Sequence, residues 1–373
     1  MGEVGTFTKG APLSKADISE EGTPFILYGE LYTTYSEVTT AIVRKTDKQA
    51  DLSQYSHIGD VIIPTSGETP EEIATATCVM LPNVILAGDL NIFRGTKVDG
   101  RIISYIINHI VNQDISRIAQ GKSVVHIKAD ELSKIRINYP ESAEQKKLIR
   151  FLEILSARIE KQRQLVELLK SYKRGVLQSI FSGSSFCGKT AEKWAKKSIA
   201  EIFDCIIDKG HPEADVLTII QGLGTTRRDA GNRRISYDKS TVATYKKVVP
   251  NDFILHLRSF EGGLEIANET GVVSPAYTIL RSKYCISPQF YYAYFRSYAF
   301  IKGKLRTAVE GIRDGKSINM DTFWKITIPS PPLEEQERFA KIFAGLDTAI
   351  NQANIMLDKL DILKRGLLDK LFI

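Results

Sequence analysis

Cysteine is scarce, with Cys78, Cys187, Cys205 and Cys285 the four in 373 residues. No two stand close enough to form a CxxC pair, so they read as scattered reduced thiols rather than a disulfide framework or a thiolate metal site. The histidines (His57, His109, His126, His211 and His256) form no HExxH or similar ligand pair, so no metal is expected. No apolar run approaches the roughly 18 residues of a membrane span. The opening MGEVGTFTKG has no basic-then-apolar signal pattern. A cytoplasmic protein is the expectation.

Catalytic signatures are missing too. There is no GxSxG, HExxH or Walker pair. The GKS triplets at 121–123 and 315–317 lack the first glycine of a phosphate-binding loop, because Ser116 and Glu310 stand there. A base methyltransferase uses a polar residue, two prolines and an aromatic, so that an acceptor meets the target amine while a ring stacks on the extruded base. Ser330-Pro331-Pro332 fits the first part, but Leu333 occupies the aromatic's place. No glycine-rich turn follows a strand to hold S-adenosylmethionine. Glu144-Gln145-Lys146 and Asp314-Gly315-Lys316 match only the tail of a PD-(D/E)xK nuclease pattern. The chain reads as a recogniser rather than a catalyst, with no cofactor of its own.

Charge of one sign is also missing from the first part of the chain. The whole carries a formal net charge of +6, yet residues 1–140 hold 13 basic and 17 acidic side chains. A basic total permits an anionic partner, but this first part cannot attract one by bulk charge.

What is present is a duplication. Residues 134–181 overlie 325–372 at a constant offset of 191, without a gap. KIRINYPESAEQ falls on KITIPSPPLEEQ, and LKSYKRGVLQSIF falls on LDILKRGLLDKLF. A fainter echo upstream sets IGDVII (58–63) against PNDFIL (250–255).

Within the repeat, apolar residues recur in steps of four and three. The first seam holds Leu148, Leu152, Leu155, Ile159, Val166 and Leu169. The second holds Phe339, Phe343, Leu346, Ile350, Leu357 and Leu360. This is a heptad pattern. It predicts two helices of about 40 residues, each about 60 Å long at 1.5 Å per residue. That length matches about 18 base pairs at 3.4 Å each. Ser142 and Gln145 read as a capping box. Each seam carries one lysine, Lys173 or Lys364, with Gly175 or Gly366 two residues later. A glycine inside a helix costs about 1 kcal/mol relative to alanine. The pair implies a close backbone approach, between the helices or to another subunit, unless both are inherited from one ancestor.

The resulting expectation is a mixed α/β fold: a first globular domain over 1–140, a helix over 141–186, a second domain over 187–331 and a second helix over 332–373. A duplicated domain–helix unit closes into a pseudo-twofold molecule if its long helices pack antiparallel as a coiled coil. Short apolar runs predict strands in each domain. Helices are expected near 101–119 and over the aromatic-rich 288–302, whose rings suit packing on a sheet better than stacking on bases.

Candidate DNA contacts lie in loops. In GLGTTRRDAGNRRISYDK (222–239), Arg227, Arg228, Arg233 and Arg234 have the chemistry to grip guanine, and Asn232 to read adenine. A solvated basic loop without function is the alternative for this segment. Further candidates are Arg258, Ser259, Arg306, Arg313 and Lys316. In the first domain they are Thr65, Ser66, Arg94, Lys97, Arg101 and Lys122.

Two variable domains, each followed by a motif like IPSPPLEEQ and a long helix ending like LKRGLLDKLF, resemble the specificity (S) subunit of type I restriction–modification systems. The resemblance covers essentially the whole chain. The first copy, INYPESAEQ, departs from it by lacking the second proline. The first unit also has no counterpart of the WAKKSIAEIFD that opens the second.

The resemblance implies two target recognition domains, each reading half of a split asymmetric site in double-stranded DNA. It implies that the helical rod fixes the unread spacer and docks two methyltransferase (M) subunits, which bind S-adenosylmethionine and methylate adenine. Restriction (R) subunits would add ATP- and Mg-dependent cleavage. None of that catalysis is expected in this chain. Two other readings stay open: a compact adenine methyltransferase with degenerate motifs, and a coiled-coil scaffold without a DNA role.

Overall fold

The run DVIIP, Asp60–Pro64, is buried at every position, which places it inside a sheet rather than at an edge. The structure, a computed structural model, describes residues 1–119, 125–181, 194–228, 239–311 and 316–371. The chain divides into two compact units, Met1–Gln162 with Met356–Ile373, and Arg163–Ile355.

In the first unit, strands β1 (Gly5–Lys9), β2 (Val38–Thr39), β3 (Asp60–Pro64), β4 (Thr77–Val79) and β5 (Leu90–Gly95) form one sheet in the order β1-β5-β3-β4-β2. In the second unit, β6 (Phe203–Ile206), β7 (Phe253–Leu255), β8 (Glu265–Ile266) and β9 (Thr278–Ser282) form a sheet in the order β6-β9-β7-β8. The second order repeats the first without its last strand. One ion pair marks the shared register. Asp60 meets Arg94 at 3.1 Å where β3 faces β5. Asp252 meets Arg281 at 2.7 Å where β7 faces β9. The pairs lie 192 residues apart on one strand and 187 on the other.

Each sheet is covered by a helix. In α1 (Gly100–His109), Ile102, Ile103, Ile106 and Ile107 are buried against Val61, Ile63 and Phe93. The expected helix over 101–119 is broken at Ile110 and resumes over Asn112–Ile118. The long helices are α2 (Ser142–Phe181) and α4 (Leu333–Leu371), and between them in sequence lies α3 (Pro288–Phe295). In α3, Phe290, Tyr291, Tyr294 and Phe295 are buried in the second core. It stops short of the expected 302, and its rings pack inward.

Helix α2 buries Leu152, Leu155, Ile159 and Val166, while Leu169 is half-buried. Its first buried apolar residue is Ile149, with the expected Leu148 half-buried beside it. In α4, Phe339 and Phe343 are buried and Leu346, Ile350, Leu357 and Leu360 half-buried. In the second unit the helices run antiparallel: Lys173 pairs with Asp347, while Phe181, further along α2, meets Phe343, earlier in α4. In the first unit Leu152 and Leu368 share an apolar cluster with Tyr105.

Two expectations are not met within the described chain. Gly175 and Gly366 have nothing within 4 Å of an added Cβ, so no helix crossing explains them, which leaves the approach to another subunit or common descent. The Ser142–Gln145 capping box is absent as well. The Glu141 carbonyl accepts from the Gln145 N–H at 2.9 Å, and the Gln145 side chain turns elsewhere. Its Oε1 accepts from the Asp99 N–H at 3.0 Å, and its Nε2 donates to the Pro140 carbonyl at 2.9 Å.

Its repeat counterpart does the same. Gln336 Oε1 accepts from the Ser287 N–H at 2.9 Å, and Nε2 donates to the Pro331 carbonyl at 2.8 Å. Asp99 and Ser287 are the N-cap residues of α1 and α3. Each glutamine therefore ties the start of a long helix to the start of its own domain's covering helix.

The far end of α4 is held by charge. Glu37 lies 2.9 Å from both His109 Nε2 and Lys364 Nζ. Burial alone would raise the Glu37 pKa, but the His109 hydrogen bond and the Lys364 charge outweigh it and set it at about 2.

Gln336→Leu leaves the Ser287 N–H and the Pro331 carbonyl buried without a partner and is expected to cost about 2–4 kcal/mol, measured by urea unfolding. Gln336→Glu, which keeps the acceptor and loses the donor, is expected to lie between Leu and the wild type. For Glu37, a depressed folded pKa stabilises above the unfolded value of about 4.5 and is lost as pH falls toward about 2. Glu37→Gln is therefore expected to lose roughly 3 kcal/mol at neutral pH, with the difference from wild type shrinking across that window in thermal melts.

Candidate nucleic-acid interface

Beside the sheet of the first unit lies a groove of about 1160 Å³. Lys9 at the end of β1, Lys15, Tyr28, Thr65 just after β3, Asp89 just before β5, and Lys128 line it. The second unit has a groove of about 790 Å³, lined by His256, Leu257, Arg258, Phe260, Ala276 and Lys316 among others.

The register set by the two Asp–Arg pairs puts these grooves at the same place in each repeat. Thr65 corresponds to Leu257, Asp89 to Ala276 and Asn91 to Thr278, and all six are lining residues. Ile127 and Ala129 likewise correspond to Ile318 and Met320, at the offset of 191.

The frame is similar in both, but the chemistry is not. In the first groove Asp89 Oδ2 accepts from the buried Ser66 hydroxyl at 3.0 Å. Asn91, also buried, donates to the Ile127 carbonyl at 3.4 Å. The second groove is lined by the apolar Ala276 and by an imidazole. His256 Nδ1 accepts from the Arg258 N–H at 3.3 Å, and its Nε2 is buried without a hydrogen-bond partner among the described residues. Burial lowers the His256 pKa and so favours the neutral ring. Lys316 stands 5.7 Å from the Phe260 ring.

Of the residues singled out from sequence, Thr65, Arg258 and Lys316 line a groove. Lys97 and Arg306 are exposed elsewhere. Four others are taken up inside the fold. Arg94 bonds Asp60 and the carbonyls of Ser53 and Tyr55. Arg101 grips Asp99 and reaches Glu153 on α2. Ser66 is committed to Asp89, and Ser259 is fully buried with its oxygen accepting from the His256 N–H. Arg227 is exposed but paired with Asp215 and Glu269, and Arg228 is half-buried. Lys122, Asn232, Arg233, Arg234 and Arg313 lie outside the described residues.

Sequence reasoning missed Lys9, Lys15, Asp89, Lys128 and His256. The echo of IGDVII in PNDFIL pointed to the right strand, but only the strand pairing carries it across to Asp89 and Ala276.

The chain belongs to the family of type I restriction–modification DNA specificity domains, whose model matches residues 1–170 and again 191–357. It is the non-catalytic, DNA-binding specificity subunit of such a system and acts with DNA and other restriction–modification subunits. Among curated relatives it is 22% identical over 329 residues to the putative type I restriction enzyme MjaX specificity subunit of Methanocaldococcus jannaschii, covering 81% of this chain and 75% of that protein. It is 30% identical over 131 residues to the MjaVIII specificity subunit of the same organism, 35% of this chain and 30% of that one.

In fold it resembles the type I restriction–modification S subunit from M. genitalium, with a TM-score of 0.59 at 16% identity over 100% of this chain and 94% of that one. A chain from a structure of type I restriction–modification complex assembly and conformational transition gives 0.60 at 18%, over 100% and 96%. No described helix is long and apolar enough to cross a membrane.

The Asp–Arg pairs separate a structural arginine from a reading one. Arg94→Met and Arg281→Met each strand a buried carboxylate, and each is expected to cost on the order of 3 kcal/mol in chemical denaturation. The base preference of the surviving folded protein is expected to be unchanged in a binding-site selection.

Proposed function

We propose that each unit reads one half of a split, asymmetric DNA site through its groove, and that the long helices set the unread spacer. The observation that carries this reading is the pair of grooves at repeat-equivalent positions with different linings. One frame used twice supports two half-sites, and different side chains support two sequences. Lysines 9, 15 and 128 offer the first groove the phosphate contacts that the net acidic first part of the chain lacks in bulk.

The domain limits 1–140, 141–186, 187–331 and 332–373 belong to the same reading, with the long helices as the rod between recognition domains. Lys97, Arg306, and the arginines of the 222–239 segment with Asn232, extend the proposed DNA contacts. Lys122 and Arg313 are proposed with them.

The proposed partners are two methyltransferase subunits on the helices and, where present, restriction subunits. Exposed apolar residues repeated at the offset of 191 support two equivalent docking sites. Leu165 (43% exposed) matches Met356 (44%), and Tyr172 (54%) matches Leu363 (50%). S-adenosylmethionine, ATP and Mg belong to those partners, and the assembly works in the cytoplasm.

Methylome sequencing of cells carrying this chain with its methyltransferase partner is expected to show one two-part motif with a fixed gap. A single continuous motif, or methyl transfer by the purified chain alone, overturns the reading. Polar substitution of Leu155 and Leu346 together is expected to change the gap or abolish assembly while leaving both half-site preferences intact. An unaltered gap in an assembled double variant counts against the ruler.

A further inference from the structure

Resting on that reading, we infer that Asp89 in the first unit is a specificity-determining residue, at a position that its counterpart Ala276 leaves open in the second. Asp89 selects a base that presents an exocyclic amino group in the major groove, cytosine or adenine.

Position 89 is exposed and lines the groove, in the turn that leads into β5. Its carboxylate is fixed at one end only. Oδ2 accepts from the Ser66 hydroxyl, and Ser66 is 6% exposed. Oδ1 has no hydrogen-bond partner among the described residues. The backbone is held as well, since the Asp89 carbonyl accepts from the Thr65 N–H at 2.7 Å. An exposed acidic side chain on a loop normally wanders in solvent. This one is oriented by a buried hydroxyl and keeps one acceptor free.

A carboxylate only accepts. It can take a hydrogen bond from cytosine N4 or adenine N6 and is repelled by guanine O6 and thymine O4. Placed near phosphates it weakens binding in general, so its use lies in rejecting wrong bases rather than in adding affinity. Lys9, Lys15 and Lys128 in the same groove offset that repulsion. At the equivalent point the second unit has Ala276, exposed and without a polar atom in its side chain. Ala276 imposes no such choice and leaves its half-site to be read by neighbours such as Arg258.

The test uses the full chain with its methyltransferase partner and the methylome as readout. Asp89→Ala is expected to relax one base position in one half-site from cytosine or adenine to all four bases. The other half-site and the gap are expected to stay the same. Ser66→Ala, which frees the carboxylate to turn, is expected to relax the same position by a smaller factor. Ala276→Asp, at an exposed position where folding is not at stake, is expected to add an amino-base requirement to the opposite half-site.

A motif unchanged in both Asp89→Ala and Ala276→Asp overturns the inference. So does a uniform loss of methylation with every base preference retained. Failure of the unaltered chain to give a two-part motif is a different outcome, which removes the half-site reading itself.

Discussion

A glutamine side chain ends in a planar amide with donors on one side and an acceptor on the other. In this chain that pairing of functions is used twice, at Gln145 and Gln336. Both side chains are almost fully buried, at 6% and 3% exposure. Each donates to the proline carbonyl just before a long helix and accepts from the backbone N–H of a domain helix's N-cap residue. That N–H is among the donors a helix start leaves unpaired, and the proline carbonyl lies outside the helix ladder. In a buried place the amide is the compact solution, and a glutamate lacks the donor. The contact ties the start of each long helix to the start of the helix that covers its domain's sheet.

The sheets are held by a second repeated device, a buried aspartate facing an arginine on the neighbouring strand. Asp60 and Asp252 are 3% and 1% exposed, so their charge is tolerable only because Arg94 and Arg281 stand opposite. These pairs fix the strand register, and register decides which residues after β3 and before β5 come together. The grooves are a consequence. Their frame is held by buried pairs and amides, while their linings are free to differ. A constant frame with variable walls is the division that the proposed reading of two unlike half-sites calls for.

Formal charge is a poor guide to this surface. Arg94, Arg101 and Arg281 are engaged with aspartates of their own unit. Arginine's planar fork suits internal carboxylates as well as it suits guanine. Counting basic residues therefore selects side chains that fold the protein alongside those that meet DNA. The lysines of the first groove are isolated in sequence, and no local run marks them.

The sequence by itself determined the duplication, the two long helices and their seams. The helices and seams rest on interactions three, four or seven residues apart, which periodicity displays directly, and the duplication shows as self-similarity at an offset of 191. The recurrence of Glu-Gln was visible too, but its purpose was misread as a local cap. The partner of Gln145 is 46 residues away and that of Gln336 is 49 away. Gly175 and Gly366 were visible in the same way, and their surroundings were not, because open space leaves no mark on a sequence. Only the tertiary structure decided which polar residues are spent within the fold and which face a groove. Asp60 meets Arg94 across 34 residues and Asp252 meets Arg281 across 29. Such cross-strand pairings depend on register, and register is a property of the assembled sheet rather than of any stretch of chain.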